Sequence, residues 1–147
     1  EMFKKILVAT DGSDRADAAV EYALQLAKDA RAEVVGLYVV DLTSLPPAGE
    51  VTVPPSPATL EYEALKLLEV VVKGAKEHGI EANVQVEFGK PAEEIVRKAE
   101  REGVDLIVLS STGKGVDRFL LGSVSEGVIR RAKCPVLVVP FSGPCTL

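Results

Sequence analysis

The sequence predicts an α/β fold in which a mainly parallel five-stranded sheet is covered by helices on both faces. Three observations carry this. Short, continuous apolar runs recur along the chain, the pattern of strands buried on both sides. Segments with helical spacing of apolar residues separate them, and strand–helix alternation is the signature of parallel α/β architecture. Polar clusters rich in Gly, Ser, Thr and Asp follow two of the runs. The 147 residues are expected to form a single domain, 1–147, with a core at about 3–140 and a tail at 141–147.

The first run, Ile6-Leu7-Val8-Ala9, ends in the turn cluster Thr10-Asp11-Gly12-Ser13. Ser13 can cap a helix whose apolar residues fall at Ala16, Ala19, Val20, Ala23, Ala27 and Ala30. Residues 34–40 form a second strand broken only by Gly36. The stretch 41–57 holds five of the nine prolines and reads as a loop, either a stiff connector or a lid. One helix is expected next, with Leu60, Ala64, Leu67, Leu68, Val71 and Ala75 on one face and Gly79 as its stop. His78 before that glycine reads as a solvated residue that suits a helix C-terminus.

Val84, Val86 and Phe88 alternate with Gln85 and Glu87, which predicts a third strand with one wet face. Pro91 fits a first helical turn, Glu93 and Glu94 complement the helix dipole, and the helix runs to Gly103. Residues 106–109 are the fourth strand. Ser123-x-x-Glu126 reads as a capping box, with Ser123 as cap, opening a helix through Val124, Val128 and Ala132. Pro135 ends that helix, and Val136-Leu137-Val138-Val139 is the fifth strand. Five strands thus alternate with four helices.

Composition narrows the function classes. A net charge of −5 and a pI near 5.0 leave no basic stripe for nucleic acid. The apolar runs are far shorter than the roughly 18–20 residues that span a bilayer. With no signal-peptide core near the N-terminus, a cytoplasmic location is expected. Cys134 and Cys145 make no disulfide framework, and one histidine without a CxxC pair offers no metal site. One Asn and two Gln against abundant Glu, Lys and Arg match a thermophile-like composition.

Ligands of open parallel sheets bind beyond the carboxyl ends of strands, where strand order reverses. The polar clusters at 10–13 and 110–115 mark that place. In the second, Ser110-Ser111-Thr112-Gly113-Lys114-Gly115 precedes the helix opened by Gly122-Ser123. Small residues admit close backbone approach and a helix start leaves N–H donors unpaired, so the pair predicts an anion site, phosphate above all.

Across nearly the whole chain, ILVATDGS, LYVVD, GKPAEEIV, GVDLIVLSSTGKG and LLGSVSEGVIRRAKCPVLVVP occur in an order that resembles the universal stress protein (UspA-like) domain family. The resemblance implies a Rossmann-like nucleotide-binding sheet in the order 3-2-1-4-5, with the switch point between strands 1 and 4. Its ATP-binding members carry a Gly-x-x-Gly-x9-Gly-Ser/Thr signature. Here Gly113 takes the second glycine, Gly122 the third and Ser123 the hydroxyl. Ser110 replaces the first glycine, and the spacer 114–121 has eight residues.

Asp11 matches the acid beside adenine and ribose, and the Val39 backbone matches the adenine contact. The binding set implied is Ala9, Thr10, Asp11, Val39, Ser110, Gly113, Lys114, Gly122, Ser123 and Val124, with Lys114 able to neutralise phosphate. Each has a plainer role as well: Asp11 can close a turn, and Ser123 can cap a helix with no ligand present.

The expected function is ATP binding, with Mg²⁺ held by phosphates, in a stress-response sensor or regulator that acts through ligand-dependent binding. Weak hydrolysis at most is expected, because no histidine, paired carboxylates or Walker motif accompany the site. A dimerisation protein of the same fold without nucleotide is the alternative, favoured by Ser110 and the short spacer. Strand Val136–Val139 is an apolar edge without charge protection, so a homodimer paired through it is expected.

Overall fold

The computed structural model describes residues 2–44, 55–111 and 121–140. The expected sites Gly113 and Lys114, most of the spacer after them, most of the Pro-rich loop and the tail with Cys145 lie outside the described residues. Within them, five parallel strands are observed: β1 (Lys5–Ala9), β2 (Glu33–Val40), β3 (Ala82–Phe88), β4 (Leu106–Ser110) and β5 (Val136–Val139). They form one sheet in the order β3-β2-β1-β4-β5, as the resemblance implied. β1 is the pivot: Leu7 lies beside Val35 on one flank and Ile107 on the other.

Alternation along the strands splits the core in two. Ile6, Val8, Val34, Leu106 and Val108 face the helices α1 (Asp14–Ala30) and α3 (Glu69–His78). Leu7, Leu37, Ile107 and Leu109 face α4 (Pro91–Glu102) and α5 (Ser123–Arg131). Since β1, β2 and β4 are walled on both sides, their residues had to be apolar at successive positions.

The N-terminus of α1 forms as its sequence requires: Ser13 accepts a hydrogen bond from the Ala16 N–H at 3.2 Å. α3 and α4 end in left-handed caps at Gly79 and Gly103. Gly36 on β2 leaves room for α3, because a Cβ there would lie 3.0 Å from Val71.

Three expectations are corrected. The single helix expected after the Pro-rich loop is two: α2 (Pro57–Leu67) and α3, separated at Leu68. Leu68 has φ −81° and ψ −6°, and it is fully buried together with Val71. The break lets Leu68 at the junction and Val71 of α3 enter one core cluster while α2 packs against β2 and β3. Among the described residues five helices therefore accompany the five strands, with a short 3₁₀ turn (Leu42–Ser44) after β2.

The wet face of β3 is only partly wet, with Asn83 exposed but Gln85 and Glu87 half-buried. Gln85 donates to Glu102 at 3.0 Å, and Glu87 pairs at 2.6 Å with Lys98, itself only 7% exposed. Polar side chains of α4 replace part of the solvent there, while Phe88 is left 37% exposed. His78 is not a solvated residue: its side chain is largely covered and meets Glu21 of α1 at 3.1 Å.

Candidate functional site

The sheet's switch point puts the C-terminal ends of β1 and β4 side by side. β1 runs on through the Thr10 N–H, which donates to the Leu37 carbonyl at 3.0 Å. Thr10 is buried, and its hydroxyl accepts from the Gly12 N–H at 3.1 Å. Exposed Asp11 accepts from the Ser13 N–H at 2.9 Å through one carboxylate oxygen. This Asx turn is the plainer role foreseen for Asp11, which also lines the cleft.

Gly12 turns the chain with φ +81°, and a Cβ there would lie 2.9 Å from the methyls of Leu67 at the end of α2. Both the left-handed conformation and the close approach call for glycine.

Opposite, β4 ends in Ser110. The Ser111 carbonyl accepts from the Gly122 N–H at 2.8 Å, and the Ser110 carbonyl accepts from the Ser125 hydroxyl at 2.6 Å. These two bonds seat the first turn of α5 on the strand end. Here the capping expectation is corrected. Gly122, in extended conformation, is the cap, and Ser123 is the first helical residue with no side-chain capping bond. The Gly122 carbonyl already accepts from the Glu126 N–H at 3.0 Å, while the Glu126 carboxylate pairs with Arg130. The helix begins at Ser123, so that residue's hydroxyl is free to face outward.

Between these ends lies a cleft of about 270 Å³. Of the residues expected at the site, Ala9, Thr10, Asp11, Val39, Ser110, Gly122, Ser123 and Val124 all line it. Four more do so without having been foreseen. Pro91 and Ile95 of α4 and Leu109 of β4 join Val39 in an apolar wall, and Ser125 adds a hydroxyl. Pro91 signalled only a helix start and Leu109 only a strand. Ser125 sat unremarked between the two ends of the supposed capping box.

The electrostatics are asymmetric. On the β1 side, burial and then the carboxylates of Asp14 and Asp11 raise the Asp17 carboxyl above its ordinary range. Burial first, then Asp11 and Glu63, push the Tyr38 phenol upward, so it stays protonated at neutral pH. On the β4 side the start of α5 supplies partial positive charge, and among the described residues no acceptor meets the backbone N–H of Ser123 or Val124. Burial, and then the Asp105 carboxylate, also raise the half-buried Cys134 thiol on the α4–α5 side. Among the described residues no group of three carboxylates, histidines or cysteines could hold a metal ion, and no helix is long and apolar enough to cross a membrane.

The profile of the universal stress protein family matches residues 2–140. The chain belongs to the universal stress protein family. A universal stress protein of Methanocaldococcus jannaschii is 44% identical over 142 residues, covering 94% of this chain and 82% of the relative. A universal stress protein solved in complex with cAMP superposes with a TM-score of 0.74 at 27% identity, covering 97% of this chain and all of its own. One from Archaeoglobus fulgidus in complex with dAMP superposes with a TM-score of 0.69 at 25% identity, covering 95% of this chain and 99% of its own.

Proposed function

We propose that the cleft at the β1/β4 switch point binds an adenine nucleotide, and that occupancy tunes the protein's affinity for partners in a stress response. The observation that carries this reading is the division of the cleft into two chemical halves. Val39, Pro91, Ile95 and Leu109 make an apolar slot suited to a base. Across from it, the exposed N-terminus of α5 offers the Ser123 and Val124 N–H groups and the Ser123 hydroxyl to an anion. Asp11, on the rim between them, suits ribose hydroxyls, which donate hydrogen bonds to a carboxylate. The structures with cAMP and dAMP support the ligand class.

At about 270 Å³ the cleft lies near the small end of ligand sites, which range from roughly 300 to 1,000 Å³. Base and ribose fill it, and phosphates extend along the start of α5. ATP is the ligand proposed, with Gly113 and Lys114 at its phosphates. Mg²⁺ would be held by those phosphates, Asp11 being the nearby acid. The role is binding, with weak hydrolysis at most.

Isothermal titration with ATP, with and without Mg²⁺, tests the reading. Micromolar affinity that is lost in Asp11→Ala and in Gly122→Glu is expected. Heat-silent titration, with no nucleotide released on denaturing the purified protein, would favour the alternative, a dimerisation protein whose phosphate end is closed by Ser110 and the short spacer.

A further inference from the structure

The first turn of α5 is not held by the usual local devices. Its cap residue Gly122 has no side chain, and Ser123 makes no capping bond. A serine within the first turn of a helix ordinarily bonds its own neighbouring backbone. Ser125 does otherwise: its hydroxyl, on a residue 4% exposed, reaches fifteen positions back to donate to the Ser110 carbonyl at 2.6 Å. The Gly122 N–H spends itself on the Ser111 carbonyl at 2.8 Å. Two consecutive carbonyls at the end of β4 therefore hold the two ends of one helical turn. Ser123 and Val124, whose N–H groups are left over, lie between the tethers and line the cleft.

We propose that Ser125 is a positioning residue for the anion end of the cleft, clamping α5 to the Ser110 carbonyl so that the Ser123 and Val124 N–H groups meet a ligand's phosphate. The nucleotide arm of this inference rests on the function proposed above. The clamp itself does not. One hydroxyl tether at Ser125 fixes the helix's rotation about its axis, whereas the Gly122 tether alone permits the turn to swing. The apolar slot for the base is built by β2, β4 and α4 and does not depend on this bond.

The test combines amide hydrogen exchange on the ligand-free protein with titrations of AMP and adenosine, in the wild type, Ser125→Ala and Ser125→Thr. The clamp predicts that Ser125→Ala loses about tenfold in protection at the Gly122 amide, the size of one hydrogen bond, while amides of Leu7 and Val108 keep theirs. It predicts about tenfold weaker AMP binding with adenosine changed less than about twofold, and recovery of both in Ser125→Thr, which restores the hydroxyl. Unchanged Gly122 protection in Ser125→Ala would overturn the clamp whatever the ligand does. Equal losses for AMP and adenosine would overturn its role at the phosphate end and leave Ser125 as general support for the fold. A wild type that binds neither ligand would overturn the phosphate role along with the nucleotide reading, and hydrogen exchange alone would then decide the clamp.

Discussion

Asp11 closes a turn, and we propose for it a second role at the ligand that substitutions can separate from the first. One carboxylate oxygen closes the turn to Ser13, and the residue lines the cleft. Asp11→Asn keeps an oxygen for the turn and loses the charge, whereas Asp11→Ala loses both. Charge-assisted bonds to a ligand are roughly twice as strong as neutral ones, so both variants are expected to weaken nucleotide binding, Asp11→Ala by about tenfold or more. If Asp11→Asn binds like the wild type in calorimetry, the residue serves the turn alone.

Gly12 next door makes a matching structural case. Gly12→Ala must adopt φ +81° and displace Leu67, so a loss of about 1–3 kcal/mol in chemical denaturation is expected. Trimming Leu67 to Ala in the same chain should return the steric part and leave the backbone part. Simple additivity of the two losses would show that α2 does not bear on the turn.

At the level of elements, the central strands were legible because a strand walled on both faces must be apolar throughout. Ile6, Leu7 and Val8 are all fully buried, and no periodicity was needed to see it. The break at Leu68 was illegible because neither proline nor glycine marks it and the apolar spacing of one helix carries across into the next. Its expected signature is energetic: Leu68→Ala should cost about 2–5 kcal/mol, as for a core leucine rather than a helix surface position. The start of α5 was misread by one residue, since Ser123-x-x-Glu126 satisfies a capping pattern that Gly122 in fact pre-empts.

At the opposite end of the sheet from the cleft, Lys5 of β1 meets Glu102 of α4 at 3.2 Å, with Glu33 also close. Hydrogen bonds from Gln85 and Lys5 lower the Glu102 carboxyl below its ordinary value of 4.5. A lowered folded-state value means that Glu102 stabilises the fold above its unfolded value and that this contribution is lost as pH falls through the folded one. Glu102→Gln should therefore lower the melting temperature at neutral pH, and the gap should close in acid below about pH 4. A gap that stays constant with pH would assign the effect to packing.

The whole molecule presents a contrast between its two sheet edges. β3 is guarded by Asn83, Gln85 and Glu87, while Val136, Leu137 and Val138 of β5 remain partly exposed in the isolated chain. An apolar edge with no further strand beyond it among the described residues invites a second strand, and a two-fold axis perpendicular to β5 would supply it. The homodimer is proposed on that ground, and light scattering coupled to size exclusion should return twice the 15.6 kDa chain mass. A monodisperse monomer would sink it. Because α5 leads directly into β5, such pairing would place the anion ends of two clefts on helices next to the shared edge.

In the function proposed for the molecule, the cleft between β1 and β4 takes an adenine nucleotide, base against Val39, Ile95 and Leu109 and phosphate at the start of α5. The position of the cleft was legible in the polar residues that follow β1 and end β4, because topology alone brings those strand ends together. The apolar wall was not, since Pro91 and Ile95 come from a helix whose approach no spacing reveals. The most direct measurement is a calorimetric titration of ATP, Mg²⁺ present and absent, into the wild type and Gly122→Glu. Micromolar binding by the wild type, abolished when a carboxylate stands at the head of α5, is the predicted result. No binding to the wild type, or equal binding to both, would contradict it.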